Sequence, residues 1–383
     1  MSKTVMILGG DGYIGWSYGL HRAITTNDKI ILVDSYLKRS LQKKVGVENL
    51  YTVPYQSERV KTFKKFFGKN NLESACLDVT NYKLISSFIE KYQPDVILNA
   101  AQQPSAPLSM ISPEMASLTL TNNQQSILNV LWAVKTFSPK TVVINMGSAG
   151  AYLSIDAELI PDKPVNLSFK HDGSYYDVKN TWLPMQASDF YHQSKAHTFA
   201  IADICVKLWD LKTVTVQQST VFGQCAYSSL PNDLYSIMNY DHLFGTVLNR
   251  FICQAVKGVP LTVYGDGLNY TNIISLCDTI SIFDIIMDCP LSEGEHKVIN
   301  SFTDMMTIEQ IALKVIDIYG KGSIEYIENP RKEESLKYHK KFERFIATEN
   351  NALDNSIKQT IDFVEKFSYN IKPELFYPTV KWD

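Results

Sequence analysis

Through the amino-terminal half of the chain, short unbroken apolar runs alternate with longer segments whose apolar residues recur at helical spacing. Such runs, rich in Val, Ile and Leu, occur at 4–8, 30–33, 96–98 and 141–145, and further strands are expected at 75–77 and 213–216. Unbroken apolar character, rather than alternation, is what a strand needs when both of its faces are covered. Helices are expected from residue 13 and around 83–92, 117–136 and 189–209. Regular alternation of the two predicts an α/β fold with a doubly wound parallel sheet. The rhythm breaks in two places. Residues 38–69 are polar and basic with interspersed aromatics (Tyr51, Tyr55, Phe63, Phe66, Phe67), which reads as a packed surface excursion, and 152–188 form an irregular insertion. Past 222, shorter elements are expected: helices around 243–256, 307–319 and 351–367, and strands at 261–264 and 297–299. The expected division is a sheet domain over 1–217 and a smaller, interleaved α/β substrate-binding region over 218–383. A strand near 297–299 is expected to return to the main sheet. No flexible linker or repeat separates the two.

The first apolar run leads into Gly9-Gly10-Asp11-Gly12-Tyr13-Ile14-Gly15, and a helix follows. Gly9 permits the tight turn, Gly12 lets backbone approach a pyrophosphate, and Gly15 lets the helix pack on the strand. The ligand's negative charge then meets free helix N–H groups. The second run ends in Asp34, where an acid can accept hydrogen bonds from an adenosine ribose and repel a 2′-phosphate. Strand, glycines, helix and acid together make this a Rossmann-type site for NAD rather than NADP. Tyr13 and Ile14 in the turn, Asp78-Val79 and Asn99-Ala100-Ala101 at later strand ends, and Asn123 on the long helix are expected to line the same cofactor.

Tyr191 and Lys195 are one helical turn apart, on one face, and follow a strand-end Ser148. A lysine ammonium and a cationic nicotinamide both depress a tyrosine pKa, so Tyr191 can act as a general base, with Ser148 holding the same substrate oxygen. Composition narrows the partners. A net charge of -3 with no long basic tract argues against nucleic acid, and no apolar stretch reaches membrane-span length. A soluble, cytoplasmic protein is expected. The six cysteines are scattered, with neither Cys-x-x-Cys nor a nearby His at ligand spacing. Most are read as core or near-core thiols, with no disulfide framework and no metal site.

The chain resembles the extended short-chain dehydrogenase/reductases that act on nucleotide sugars, and within them the UDP-sulfoquinovose synthases. The resemblance is carried by GGDGYIGW at 9–16, QPSAPLSMI at 103–111, QASDFYHQSK at 186–195, YDHLFGTVLNRF at 240–251, PLTVYGDG at 260–267 and NPRKEE at 329–334. It implies a homodimer, tightly held NAD, and transient oxidation of a nucleotide sugar at C4. Loss of water across C5 and C6 and addition of sulfite at C6 would follow. It also implies Tyr191 as the C4 base, Lys195 as its activator and ribose ligand, and Ser148 as the hydroxyl partner. His192 matches a family histidine beside the sugar, or else packs. Gln103, Ser105, Gln217, Arg250 and Arg331 fall at substrate-binding positions, although a structural ion-pair or surface role suits Arg250 nearly as well and Arg331 somewhat less. Three departures stand out. Ala151 replaces a glutamate suited to the elimination, Pro104 replaces an arginine, and Thr271 and Cys277 replace arginines of the diphosphate grip. Three functions remain open: sulfoquinovose formation, C4 epimerisation without elimination, and non-catalytic NAD binding.

Overall fold

The computed structural model describes residues 2–152, 155, 157, 159–225, 230–331, 341–342 and 352–382. Residues 332–334 of the NPRKEE stretch and residue 351 of the last expected helix lie outside them. In chain order the first elements are β1 (Thr4–Leu8), α1 (Tyr13–Thr25), β2 (Lys29–Asp34), α2 (Leu37–Val45), α3 (Gln56–Phe67), β3 (Leu72–Cys76), α4 (Tyr82–Tyr92) and β4 (Val96–Asn99). Next come α5 (Ala106–Ser109), α6 (Pro113–Phe137), β5 (Val142–Met146), β6 (Leu159–Ile160), β7 (Val165–His171), β8 (Ser174–Thr181), α7 (Phe190–Trp209) and β9 (Lys212–Gln218). The remainder comprises β10 (Thr220–Phe222), α8 (Val247–Lys257), β11 (Leu261–Tyr264), β12 (Tyr270–Ser275), α9 (Leu276–Met287), β13 (His296–Ser301), β14 (Asp304–Thr307), α10 (Ile308–Tyr319), β15 (Ile324–Ile327), β16 (Lys341–Phe342) and α11 (Ala352–Lys366).

Seven strands form one sheet in the order β13-β9-β5-β4-β1-β2-β3, and its pairs are all parallel. The chain reverses direction across the sheet between β1 and β4, so a crevice opens at their carboxyl ends, the usual ligand position in such sheets. Strand parity assigns the two faces. Val5, Ile7, Ile30, Leu32, Leu98 and Ile144 pack with Trp16 of α1 and Phe283 of α9. Met6, Leu8, Ile31, Val33, Ile97 and Val143 pack with Ile85 of α4, Ile127 of α6 and Ala202 of α7. Both faces being covered is the physical reason these strands read as unbroken apolar runs. A further core joins Phe251 and Ile252 of α8, Val263 of β11, Ile311 of α10 and Ile361 of α11.

Several expectations are corrected. The strand expected at 75–77 is β3, ending at Cys76, and the helix expected from 243 begins at Val247. Segment 38–69 contains α2 and α3 and is not merely superficial. Tyr51 stacks on Phe367 in the second core, and Arg59, fully buried, lies 3.4 Å above the Trp16 ring. The insertion at 152–188 holds an antiparallel hairpin, β7 with β8. Of the six cysteines only Cys205 and Cys253 are buried, whereas Cys76 is exposed and the other three are half-buried. Among the described residues no helix is long and apolar enough to cross a membrane.

Candidate active site

A cavity of about 550 Å³ runs from the β1–α1 turn past the ends of β4 and β5 to the loops around β10, β12 and residues 329–331. At its first end the backbone N–H groups of Gly9 and Gly10 donate to the Val33 carbonyl at 2.8 and 3.0 Å. Gly9 has φ +81°, and a Cβ there would stand 2.5 Å from the Ala100 carbonyl oxygen. One on Gly15 would stand 2.2 Å from the Gly9 oxygen, so both glycines are required by close approach. Gly12 opens α1 without a side-chain cap, leaving the first-turn N–H groups at the cavity wall beside Tyr13 and Ile14. The Asp34 carboxylate accepts from the backbone N–H of Asp11 at 2.9 Å and of Tyr36 at 2.7 Å. Burial, then the Asp11 charge, pushes its pKa up to about 6. A glycine cradle, an uncapped helix start and an acid at the next strand end fit a dinucleotide.

The neighbouring residues divide by placement. Asp11, Asp78, Val79, Ala100 and Ala101 line the cavity, with Asp11 bound in bidentate fashion by Arg39 at 2.6 and 2.8 Å. Asn99 and Asn123 are wholly buried behind its wall. Asn99 accepts from the Ser126 hydroxyl, and Asn123 brackets the Gln103 backbone and the Ser194 hydroxyl. Gln217 also stands behind the wall: its Oε1 accepts from the Ser148 backbone N–H at 2.9 Å, fixing the serine. Gln103 and Ser105 do line the cavity. The Gln103 side chain is engaged with Thr119, and the Ser105 hydroxyl with the Leu243 carbonyl.

Beyond β5 and at the start of α7, Ser148, Tyr191, His192 and Lys195 line one stretch of the cavity wall. Burial, and next the Asp189 charge, raises the Tyr191 pKa well above the ordinary phenol range, and a hydrogen bond with Ser148 opposes the rise. The Lys195 amine lies 5.4 Å from the Tyr191 ring centre and donates to the Met146 carbonyl at 2.8 Å and to the Gln102 side chain. Burial pushes its pKa down to about 7. His192 is held by Asp189, the residue that caps α7. One carboxylate oxygen accepts from the His192 backbone N–H at 2.8 Å and the other meets Nδ1 at 2.5 Å. Burial works to raise the Asp189 pKa, yet His192 and Arg331 together hold it below the usual carboxylate range. With Nδ1 engaged, Nε2 is the ring nitrogen left to face Gly150. Ala151 is fully buried.

At the far end, Arg250 and Arg331 both line the cavity with Thr271. Arg250 donates to the Tyr264 hydroxyl at 2.8 Å and the Thr262 carbonyl at 3.2 Å, while its buried Nε has no partner. Arg331 stacks over Trp382 at 4.8 Å. Gln102, Lys38 and Tyr264 also line the wall and were not singled out from sequence. The adjacency of Gln102 to the Ala100-Ala101 strand end was the available signal for the first. Among the described residues no group of three or more His, Cys, Asp or Glu is arranged to hold a metal ion.

The profile of the NAD dependent epimerase/dehydratase family matches residues 5–300. UDP-sulfoquinovose synthase of Sulfolobus acidocaldarius is 30% identical over 339 residues, 88% of this chain and 84% of that protein. The chloroplastic UDP-sulfoquinovose synthase of Spinacia oleracea is 28% identical over 390 residues, 99% of this chain and 79% of that one. In fold, the chain is similar to UDP-glucuronic acid 4-epimerase from Bacillus cereus, solved with UDP-glucuronic acid and NAD. Its TM-score is 0.65 at 15% identity, over 95% of this chain and 99% of that one. dTDP-glucose 4,6-dehydratase from Bacillus anthracis, solved with NAD, also has a TM-score of 0.65, at 18% identity, over 98% and 99% of the two chains. With its profile spanning the parallel sheet except the first residue of β1 and the last of β13, the chain belongs to the NAD dependent epimerase/dehydratase family.

Proposed function

We propose that the protein modifies a nucleotide-diphosphate sugar by transient oxidation at C4, with UDP-sulfoquinovose synthesis from UDP-glucose and sulfite as the closest reaction. The observation that carries this reading is the convergence of Ser148, Tyr191 and Lys195 on one wall of a cavity whose other end is the glycine cradle. NAD, the family's cofactor, supplies reversible hydride acceptance when bound. Gly9, Gly12 and Gly15 seat its pyrophosphate and Asp34 its ribose. Tyr191 takes the proton of the C4 hydroxyl, and Ser148 holds that oxygen in place. Lys195, brought to its charged form, lowers the cost of the Tyr191 phenolate. Arg250 and Arg331 hold the diphosphate; the unpartnered Arg250 Nε is a donor available to it.

A C4 ketone acidifies the C5 proton, and elimination then needs a group to remove it. Ala151 has no proton to exchange. His192, oriented by Asp189 with Nε2 toward Gly150, supplies that base, which supports sulfoquinovose formation over simple return of the oxidised sugar. C4 epimerisation is the second reading and is favoured by Ala151 itself, since it requires no further acid or base. Retention of all three redox residues disfavours a purely NAD-binding role. A second copy is proposed to pack on α6 and α7, where Trp132, Ile204 and Leu208 are exposed.

The test is incubation with UDP-, GDP-, CDP- and dTDP-sugars, with and without sulfite, followed by mass resolution of the products. A sulfite-dependent sulfonated sugar is expected. An isobaric product would select the epimerase, and no product with NAD retained would remove both enzymatic readings.

A further inference from the structure

The scattered cysteines include one pair that the fold brings together. Cys225 lies just past β10 and Cys277 in the first turn of α9, with their Sγ atoms 2.9 Å apart. β10 and β12 run in parallel with Phe222 opposite Ser275, so the two thiols sit immediately beyond the last paired residues. A disulfide bond is about 2.05 Å long, so bond formation calls for a shift of under about 1 Å. Both residues are half-buried, and none of the six cysteines is in a disulfide.

We propose that Cys225 and Cys277 form a reversible redox site whose co-substrate is a small-molecule disulfide of the glutathione class. Cys277 is the attacking sulfur. It occupies a helix first turn, where N–H groups favour a thiolate. The Cys277 thiol donates to the Cys225 sulfur, and the contact with Cys277 together with burial raises the Cys225 pKa, so the first proton to leave the pair is that of Cys277. In the first exchange the Cys277 thiolate attacks one sulfur of the small disulfide, the S–S bond breaks, and one thiolate leaves. Cys225 then loses its proton to solvent and attacks the Cys277 sulfur, expelling the second thiolate. The protein loses two electrons and two protons, and the small disulfide becomes two thiols.

The site is wired to the cavity. Tyr13, which lines it, donates its hydroxyl to the Gly223 carbonyl, and the Gly223 N–H is held by Asn249 at 2.9 Å. Ser219, Thr220, Val221, Thr271 and Asn272 of the adjoining strands form the substrate end of the same wall. A Cys225–Cys277 bond staples that wall from behind, tying the nucleotide-sugar end to cellular thiol poise.

The experiment uses the full chain, reduced and then equilibrated with graded mixtures of reduced and oxidised glutathione. Remaining thiols are alkylated before non-reducing peptide mapping by mass spectrometry. The expected wild-type product is two hydrogens lighter, with the peptides carrying Cys225 and Cys277 joined, and it reverts on reduction. In Cys225→Ser the exchange stops at a glutathione adduct on Cys277; in Cys277→Ser, Cys225 stays alkylatable. Recovery of both thiols as alkylated in the wild type at every mixture overturns the proposal. So does a crosslink to any other cysteine, or an adduct on Cys225 in Cys277→Ser as readily as on Cys277 in Cys225→Ser. The wild-type map decides the crosslink without relying on the folding of either variant.

Discussion

Gly150→Ala probes the histidine with Ser148, Tyr191 and Lys195 all retained, and alanine keeps the backbone N–H that donates to the Ser148 hydroxyl at 3.1 Å. A Cβ at Gly150 would lie 2.1 Å from His192 Nε2 and 2.2 Å from Cδ2, where ordinary contact begins at 3.4 Å. The ring must therefore retreat by more than about 1 Å, a displacement that can cost about 10²-fold when the displaced group takes part in the chemistry. Retreat is opposed by the Asp189 contact on Nδ1 at 2.5 Å and by the Tyr191 ring 4.8 Å away. Loss of the charged hydrogen bond is worth about 1.5–3 kcal/mol. The expected result is a kcat lower by about 10²-fold on the accepted nucleotide sugar, with KM and bound NAD near wild type and a modest fall in thermal midpoint. Steady-state kinetics with sulfite, product mass and NAD content of the purified variant make up the assay. Asp189→Asn is the companion: its remaining side-chain oxygen can still cap α7, but Nδ1 loses its anionic partner, so the pH profile of kcat should move while the fold holds. Unchanged kcat and pH profile in both variants would remove His192 from the chemistry and leave it as packing.

Two further outcomes follow from the redox residues. Tyr191→Phe is expected to abolish turnover while the protein still folds and still carries NAD, and near-normal turnover would refute the C4 mechanism. Lys195 has a folded pKa of about 7 against about 10.4 in an unfolded chain. Between those values the unfolded state binds the proton and the folded state does not, so this group makes stability rise with pH across the window. Denaturant unfolding of cofactor-free wild type and Lys195→Met should therefore diverge as pH rises from about 7 toward 10, and parallel curves would show that burial does not govern the amine.

The sheet was legible because a strand covered on both faces shows mostly apolar positions, as β1, β2, β4 and β5 do, while β9 was legible through its β-branched Thr and Val residues. The hairpin β7–β8 gave no such signal, because nearly all of its residues are exposed and no face is buried to impose a period of two. In α3 only Gln56, Arg59, Val60 and Phe63 are buried, so its inward face mixes polar and apolar side chains and reads as a basic loop. Site residues follow a similar rule. Gly9, Gly15, Ser148, Tyr191 and Lys195 were legible because turn geometry or helical spacing fixes where they point. Asn99 and Gln217 were placed correctly along their strands, but position on a strand does not by itself give the direction of a side chain. Both turned inward to hold other parts of the wall. The meeting of Cys225 with Cys277 was invisible for a different reason: it depends on the register of β10 against β12, elements far apart in the chain.

The departures from the family pattern acquire a physical meaning once the wall is seen as a whole. Ala151 is sealed in the fold, so the loss of an acid there removes a proton carrier without opening a hole. Facing the adjacent Gly150, the start of α7 presents His192 on an Asp189 anchor, and Asp189 is also the α7 cap. One carboxylate thereby fixes the backbone that carries Tyr191 and the imidazole beside it. Protonating Asp189 weakens both at once. Because its folded pKa is depressed, its contribution to stability is present above the ordinary carboxylate range and is lost as pH falls through the lower folded value. Tyr191, the proposed C4 base, and His192, the proposed elimination base, therefore share a single support, so a variant that loosens that support is expected to lose oxidation and elimination together. Gly150→Ala, which displaces the His192 ring and leaves the Asp189 cap of α7 in place, should spare C4 oxidation while slowing sulfonation by about 10²-fold.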